Sequence, residues 1–316
     1  MVDKAVRKVI LDIIASMAVL PNRYLIKLDG NNDYFKTYLP FLGVLRLTVE
    51  RATGITGPKH TGANMLLAKF IKDVPDCYCK VNIGAEAEWR TSTKNNEQNP
   101  EWNETHDFLV ADYEQRVVLH IQDEDVGEDD DIGIATTTVR EILLHGGSQE
   151  LALTDNGEPL DGKVVVKARF YNFVDNADVI TTTQSENKDQ VVGLATVLIA
   201  SALGLQGQRD ELNPSIKVTW GAKEFRTAAV SYSPGTDIFN PSFDQAFRIP
   251  LTADLLADPG NFRIALLNKD DETGFVEIPF EQVLQSPGLV REETFDVGNG
   301  AVVRASISLR GLQASR

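Results

Sequence analysis

The strongest chemical signal in this sequence is a short acidic run. Residues 123–131 have the sequence DEDVGEDDD, so seven of the nine positions are acidic. Packed carboxylates repel one another unless a cation joins them, and Ca²⁺ takes about six to eight oxygen ligands from flexible loops. Asp123 and Asp125 can aim their carboxylates to one side at the end of a strand, and Asp130 or Asp131 can return from the far side. The run therefore predicts either a calcium loop or a solvated acidic hairpin.

Other kinds of metal or catalytic site find no support in the sequence. An EF-hand is excluded by spacing: with Asp123 at the first position, the required glycine falls on Glu128 and the bidentate glutamate on Ile134. The four histidines have no metal-ligand spacing. The signatures of a nucleophile elbow, a P-loop and dinucleotide binding are missing as well. We therefore expect no catalytic residues and no enzyme activity.

The overall charge excludes one class of partner and limits another. The formal net charge of the 316 residues is -15, whereas nucleic-acid binding needs clustered lysine and arginine. Bulk charge also makes the chain a poor constitutive binder of anionic lipid. No apolar run approaches the roughly 20 residues that span a bilayer, so any membrane contact is expected to be peripheral. Cys77 and Cys79 are expected to be ordinary thiols, with their sulfurs on opposite faces of a predicted strand.

The first twenty residues have the pattern of an amphipathic helix. Apolar residues from Val6 to Met17 recur at helical spacing, and Pro21 ends the run. Asp12 interrupts the apolar stretch, which argues against a signal peptide. Nothing downstream is assigned to cover the apolar stripe, so we interpret the helix as the end of an upstream domain. A helix lying in a membrane surface is the alternative.

From Gly43 onward the pattern is one of short strands separated by Gly, Asn, Asp and Pro clusters, which is typical of antiparallel sandwiches. Strands are predicted in the first half at 44–49, 78–83, 86–92, 105–110, 117–122, 132–138 and 163–171, with helices at 63–71 and 139–144. After a polar segment at 174–190 the order returns, with strands at 194–200, 215–220, 224–230, 243–249, 262–267, 275–279, 294–297 and 302–309 and a helix at 281–285. The chain is thus predicted to be all-β, with two tandem antiparallel β-sandwiches preceded by one N-terminal helix.

Motifs at matching places in the two halves resemble those of C2 domains. Residues 99–104, NPEWNE, are similar to the N-P-x-W-N-E signature before the family's fourth strand, and residues 240–245, NPSFDQ, are a degenerate copy. The segment DCYCKV at 76–81 resembles the family's D-P-Y-V-K-V strand, and NPSIKV at 213–218 is its copy. The acidic run, continued through Gly133, resembles the third calcium loop.

A narrower resemblance links the start of the chain to extended synaptotagmins and yeast tricalbins. MAVLPNR at 17–23, followed by GVLRL at 43–47, looks like the junction between that family's lipid-transfer (SMP) domain and its first C2 domain. The resemblance implies a helix and linker from a lipid-transfer domain at 1–42, a first C2 domain at 43–174, a linker at 175–190 and a second C2 domain at 191–313. It also implies a location on the cytoplasmic side of membranes, at contact sites between endoplasmic reticulum and plasma membrane.

The C2 resemblance favours the calcium interpretation of the acidic run. The Ca²⁺ ligands that it implies are Asp76, Asp123, Asp125, Asp130 and Asp131. The family's first loop normally supplies two acids, and the earlier one would fall near Ala63 or Asn64. Because neither residue carries a charge, we expect a reduced site in the first domain.

The second half departs further from the family's calcium pattern. Asn213 replaces the first-loop acid and Asn268 replaces the first aspartate of the third loop. We therefore expect no calcium in the second domain. Lipid contact through Lys217, Lys223 and Arg226 on neighbouring strands is one expected role, and three ordinary solvated residues are the alternative.

Two functions of different classes follow. The first is a calcium-regulated module that docks on anionic phospholipid membranes within a tethering or lipid-transfer protein. The second is a calcium-independent scaffold that uses its C2 sandwiches for contacts with protein partners. Convergence of Asp76, Asp123 and Asp125 favours the first function, and separation of these residues favours the second.

Overall fold

The computed structural model describes residues 41–56, 74–84, 88–125, 129–182, 188 and 190–315. Nearly all of the helix and linker predicted at 1–42 and the helix predicted at 63–71 lie outside these residues. In the part of the chain that is described, no helix has both the length and the apolar character needed to cross a membrane. The chain divides into two compact units, one built on residues up to Asn172 and the other on Phe173–Gln313.

The first unit consists mainly of strands. Its described elements are β1 (Gly43–Thr53), β2 (Cys77–Ile83), β3 (Trp89–Arg90), β4 (Glu101–Val110), β5 (Arg116–Asp123), β6 (Asp130–Thr138), helix α1 (Val139–Leu144), β7 (Ser148–Asp155) and β8 (Glu158–Val174). One antiparallel sheet has the order β4-β1-β8-β7 and the other has the order β3-β2-β5-β6. A single pair, Ile134 with Thr154, joins β6 to β7.

Strand β2 shows how the core of the first unit is divided from its outer face. Cys77, Cys79 and Val81 are buried in the core between the sheets. Because side chains alternate along a strand, Tyr78 and Lys80 lie on the opposite, outer face of the same sheet. Both cysteines are free thiols. The expectation that they lie on opposite faces of the strand is wrong, because residues i and i+2 share a face.

The second unit repeats this arrangement. Its described elements are helix α2 (Ala177–Thr182), β9 (Val191–Leu203), β10 (Pro214–Trp220), β11 (Lys223–Arg226), β12 (Ser242–Thr252), helix α3 (Ala253–Ala257), β13 (Asn261–Asn268), β14 (Asp271–Pro279), helix α4 (Phe280–Leu284), a 3₁₀ turn at Pro287–Leu289, β15 (Val290–Gly298) and β16 (Ala301–Ala314). The strand orders are β12-β9-β16-β15 and β11-β10-β13-β14. The stacked rings of Trp220 and Phe280, with Phe262 beside them, lie in its core. The predicted fold of two antiparallel sandwiches is confirmed.

The Asn-Pro motifs perform the same local task in both units. Asn99 Oδ1 accepts a hydrogen bond from the backbone N–H of Gly54 at 3.0 Å, and Asn240 Oδ1 accepts one from Gly204 at 3.0 Å. Both glycines have positive φ, of 68° and 76°, a conformation that glycine adopts without steric cost. The motif therefore fixes the turn that leaves the first strand of each sandwich.

The structure differs from the sequence prediction at several elements. Strand β7 and helix α3 were not predicted, although the hydroxyl of Thr252 caps α3 by accepting the Leu255 N–H. Helix α2 lies within the predicted linker 175–190, and its Ile180 is buried in the core of the second unit. Strand β11 ends at Arg226 rather than at residue 230, because the Thr227 side chain accepts the next hydrogen bond, from the Ile216 N–H.

Candidate metal site

Two of the predicted acids meet where β2 begins and β5 ends. Asp123, the last residue of β5, pairs with Cys77, the first residue of β2. Its side chain is only 6% exposed, and its Oδ1 accepts the backbone N–H of Asp76 at 2.7 Å. The backbone of Asp76 also accepts the N–H of Glu124 at 3.0 Å. Asp76 and Asp123 are therefore fixed beside each other by the sheet.

The Asp76 carboxylate contributes a second bond to this framework. Its Oδ1 accepts the backbone N–H of Asn96 at 2.7 Å. The acids make the electrostatic field at this end more negative, and they contribute to the raised pKa of the nearby Cys77 thiol. Burial, followed by the charges of Asp123 and Asp76, raises the pKa of Cys77 to about 12. A cation at this end would reduce that repulsion.

The acidic loop returns next to its own start. Asp130 begins β6 and pairs with Asp123 across the ladder. The backbone N–H of Asp125 donates to Asp129 Oδ1 at 3.2 Å. Asp125 and Asp130 are both exposed, so their carboxylates remain accessible from solvent near the Asp76–Asp123 end.

Asp131 is not brought to the other predicted ligands. It pairs with Gln122 rather than with Asp123, and its Oδ1 accepts the Gln122 side-chain N–H at 2.7 Å. His120 Nε2 lies 2.9 Å from the same oxygen. Because Gln122 pairs with Tyr78, this carboxylate is held on the outer face of the sheet.

Several residues around the loop were not singled out from the sequence. The Tyr78 hydroxyl lies 2.6 Å from Asp129 Oδ2, and this hydrogen bond is the main cause of the lowered pKa of Asp129. Arg90 donates to Glu124 at 3.0 Å. Hydrogen bonds from Thr93 and then Arg90 lower the pKa of Glu124. From the sequence, strand alternation could place Tyr78 and Arg90 on the outer face of β2 and β3, but it could not indicate their contacts with the acidic loop.

The donor set suits calcium in chemistry, although the described residues do not enclose an ion. Carboxylate oxygens are the hard ligands that Ca²⁺ prefers, and Asp76, Asp123, Asp125 and Asp130 supply them at one end of the sandwich. Among the residues that the structure describes, no three acidic, histidine or cysteine side chains are close enough to hold a metal ion. The first-loop segment 57–73, in which the family's earlier acid would fall, lies outside the described residues.

The corresponding end of the second unit has the same backbone framework with amides in place of acids. The backbone N–H of Asn213 donates to Asn268 Oδ1 at 2.7 Å, and Lys269 N–H donates to the Asn213 carbonyl at 3.0 Å. The Asn213 side-chain amide donates to the Val230 carbonyl and to Ser231 Oγ, at 3.2 and 2.9 Å. This end carries no carboxylate at the two framework positions.

Arg226, one of the predicted lipid contacts, forms hydrogen bonds with the third loop of the second unit. Its guanidinium donates to Ser215 Oγ at 2.9 Å, to Asp270 Oδ1 at 2.8 Å and to the carbonyl of Lys269. The charge of this arginine is therefore already paired with an acid.

The three predicted lipid contacts do not form one basic patch. Lys217 pairs with Arg226 and shares its face, but Lys217 Nζ lies 3.9 Å from Glu224. Lys223 pairs with Trp220, a core residue, and so belongs to the other side of the hairpin. Acids on the shared face thus offset the positive charge.

Comparisons with known proteins agree with this geometry. A family profile described as "C2 domain" matches residues 43–153 and 193–296. Extended synaptotagmin-1 of Pongo abelii is 24% identical over 306 residues, which is 92% of this chain and 26% of that protein. Extended synaptotagmin-2 of Homo sapiens is 25% identical over 332 residues, 98% of this chain and 34% of that protein. The chain thus spans about a quarter to a third of the length of these relatives.

Solved structures show the same fold. A calcium-bound structure of the first and second C2 domains of extended synaptotagmin 2 has a TM-score of 0.69 at 18% identity and covers 88% of this chain and 100% of its own. A structure of the same protein that contains the SMP domain and both of these C2 domains has a TM-score of 0.69 at 20% identity, with 98% and 65% coverage. The similarity to both structures extends across the two sandwiches.

Proposed function

Because this chain belongs to the C2 domain family, we propose that it is a peripheral membrane-binding module whose first domain docks on anionic phospholipid in response to calcium. The observation that supports this most directly is the fixed contact of Asp76 with Asp123 at the end where the acidic loop leaves and returns. Asp76, Asp123, Asp125 and Asp130 would hold the ion. Bound Ca²⁺ supplies positive charge and open coordination positions that suit lipid phosphate.

The response follows from electrostatics and requires little change of fold. Without a cation, the acidic end of the first domain is repelled by anionic headgroups within a Debye length of about 8 Å at physiological salt. Asp76, Asp123, Asp125 and Asp130 lie together at this end, and a bound cation is proposed to offset their negative charge. The net charge of -15 opposes constitutive binding to anionic membranes. A change of charge at one end of the domain is enough to reverse the sign of the local electrostatic potential.

The second domain is proposed not to respond to calcium. Asn213 and Asn268 occupy its two framework positions, and the Asn213 amide is already engaged with Val230 and Ser231. An amide nitrogen donates hydrogen bonds and does not bind cations. The role left to this domain is structural, protein-binding or weakly lipid-binding through Lys217 and its neighbours.

The parent protein is proposed to be a membrane tether or lipid-transfer protein. Support comes from the similarity to extended synaptotagmins along nearly the whole chain. On this proposal, residues 1–42 are the end of a lipid-transfer domain, and the C2 domains occupy 43–174 and 191–313 on either side of the segment 175–190. They act on the cytoplasmic side of membranes, at contacts between endoplasmic reticulum and plasma membrane, and carry no enzyme activity.

Sedimentation with phosphatidylserine-containing liposomes, with and without CaCl₂, tests the proposal. The expected result is calcium-dependent binding by the wild type that Asp123→Asn/Asp125→Asn abolishes. Asp270→Asn/Asp271→Asn is the matched control, since it removes two charges from the third loop of the second domain and should leave the calcium response intact. Equal binding by all three proteins, with or without calcium, contradicts the proposal.

A calcium-independent protein scaffold is the second candidate function. It is favoured by the separation of Asp131 and Asp129 from the Asp76–Asp123 end and by the lack of a three-residue metal cluster in the described residues. Calorimetric titration with CaCl₂ separates the two functions. No heat of binding from a folded chain would support the scaffold.

A further inference from the structure

The Tyr78 hydroxyl is shared by two acceptors although it has one proton. Its oxygen lies 2.6 Å from Asp129 Oδ2 and 2.7 Å from Gln122 Oε1. A hydroxyl donates a single hydrogen bond at a time, and a charged acceptor forms a stronger bond than a neutral amide. The Tyr78 hydroxyl therefore donates its hydrogen bond mainly to Asp129, and the Gln122 oxygen is the alternative acceptor.

The surroundings of Tyr78 prevent any other response of this side chain. Tyr78 is fully buried, with the Arg90 guanidinium 3.8 Å from the centre of its ring. The amide of Gln122 is also fixed, because its N–H₂ donates to Asp131 Oδ1 at 2.7 Å and so directs Oε1 toward the tyrosine. Rotation of the hydroxyl proton about the C–O bond is the low-energy movement that remains for this side chain.

This arrangement decides on which side of the sheet Asp129 lies. Tyr78 is on the outer face of β2, whereas Asp123 is paired with the core residue Cys77. The second oxygen of Asp129 accepts the Asp125 N–H at 3.2 Å, so both oxygens are occupied. Burial, followed by the hydrogen bond to Asp129, raises the pKa of Tyr78, so the phenol keeps its proton at neutral pH.

We propose that Tyr78 is a positioning residue that holds Asp129 on the outer face and thereby sets the calcium affinity of the first domain. This rests on the proposed calcium function and adds a two-position latch to it. When Asp129 turns toward the Asp76–Asp123 end, the Tyr78 proton rotates to Gln122, so the buried hydroxyl stays bonded in both states. The latch weakens calcium binding by the difference in strength between the charge-assisted hydrogen bond to Asp129 and the neutral one to Gln122.

Replacement of one oxygen atom tests the latch. In the full chain, Tyr78→Phe should bind Ca²⁺ about five- to tenfold more tightly than the wild type in calorimetric titration with CaCl₂, since a hydrogen bond to a charged group no longer competes. Tyr78→Phe/Asp129→Asn should lose this gain, because the released carboxylate is gone. Tyr171→Phe is the matched control: it removes a hydroxyl from β8, in the other sheet, and should leave the affinity unchanged.

The outcomes separate the latch from the calcium function. If the wild type binds calcium and Tyr78→Phe binds it equally or more weakly, the latch is wrong and the calcium function stands. If only Tyr78→Phe binds calcium, the latch is supported and is strong enough to block the wild type. If neither protein binds calcium, both proposals fail.

A second measurement uses the unmodified protein and remains decisive if Tyr78→Phe does not fold. The ring carbon that bears the hydroxyl is labelled with ¹³C in all seven tyrosines, and its NMR signal reports the hydrogen bond of each phenol. Addition of CaCl₂ should shift the Tyr78 signal in a saturable way as its acceptor changes from a carboxylate to an amide. An unchanged Tyr78 signal in a chain that binds calcium overturns the latch.

Discussion

The backbone N–H of Asn213 donates a hydrogen bond to Asn268 Oδ1 at 2.7 Å, and Asp76 and Asp123 make the same bond at the same length in the first domain. An amide oxygen and a carboxylate oxygen therefore do the same structural work at this position. The negative charge of Asp123 is therefore not required for this hydrogen bond, since an amide oxygen fills the same position in the second domain. Substitution of an amide for a carboxylate at this position should therefore affect calcium binding more than folding.

The first prediction concerns Asp123. Asp123→Asn should keep the bond from the Asp76 N–H and cost less than about 1 kcal/mol in the free energy of unfolding, whereas Asp123→Ala leaves that N–H without its acceptor and should cost about 1–2 kcal/mol. Urea unfolding followed by hydrogen exchange of β2 peptides reports the first domain separately from the second. Equal losses for both variants would show that the carboxylate charge itself stabilises the domain.

The same comparison in the second domain provides the control. Asn268→Ala removes the acceptor of the Asn213 N–H and should destabilise the second domain by a similar amount, measured on β10 peptides. It should leave the calcium response of the first domain unchanged, since no proposed ligand is touched. A loss of calcium binding in Asn268→Ala would mean that the second domain also carries ions.

The second prediction is that returning an acid to the second domain destabilises that domain. The Asn213 side-chain amide donates to the Val230 carbonyl and to Ser231 Oγ. Asn213→Asp places a carboxylate oxygen against the carbonyl oxygen and should cost about 1–2 kcal/mol in the free energy of unfolding at neutral pH. In the reciprocal variant, Asp76→Asn, the side-chain oxygen can still accept the Asn96 N–H, and we expect a cost of less than about 1 kcal/mol. Urea unfolding followed by hydrogen exchange measures both free-energy costs, on β10 peptides for Asn213→Asp and on β2 peptides for Asp76→Asn.

Most of the fold followed from patterns that are local in sequence. The alternating halves of β2 and β10, from Cys79 and Ile216 onward, bury every second side chain. The helix predicted at 139–144 matches α1. Helix α2 was missed because the polar residues around Asn176 resemble a linker. Only burial of Ile180 in the second core distinguishes it from one. Strand β7, with exposed residues at alternate positions, has too few apolar residues for its pattern to be recognised alone.

The site was less predictable because side-chain direction depends on register. Asp130 and Asp131 are adjacent in sequence, yet Asp130 pairs with Asp123 while Asp131 pairs with Gln122, next to a bulge in the ladder. Spacing could not say which of the two returns to the calcium end. Tyr78 also escaped notice, because its role depends on a contact with Asp129 that is 51 residues away in sequence.

The third prediction concerns the basic residues of the second domain. Lys217 has Glu224 nearby and Lys223 is on the other side of the hairpin, so neither contributes a full uncompensated charge to a single surface. Residues in a true polybasic patch contribute about 1 kcal/mol each. Lys217→Gln/Lys223→Gln should therefore reduce calcium-free binding to phosphatidylserine liposomes less than about twofold. A reduction of about tenfold or more would establish the lipid contact expected from the sequence.

The fourth prediction uses His106, whose ring stacks on Trp89 with centroids 5.2 Å apart and meets the edge of Phe108. Burial of its packed side lowers the pKa of His106, and the charge of Asp107 opposes this effect. A histidine with a lowered folded-state pKa stabilises the domain above its ordinary value of about 6.5. That contribution is lost as the pH falls through the folded-state pKa. The first domain should therefore lose stability below about pH 6.5, in addition to the loss caused by its carboxylates.

His106→Phe isolates this part of the acid response, because phenylalanine preserves the stacking on Trp89 and does not titrate. The free energy of unfolding should be measured by urea titration at pH 7, 6 and 5, with β2 peptides followed by hydrogen exchange. The stability of the variant relative to the wild type should rise as the pH falls, since only the wild type must place a proton on a partly desolvated ring. Two parallel pH curves would show that solvent reaches the ring freely and that the stacking with Trp89 does not disfavour the charged form.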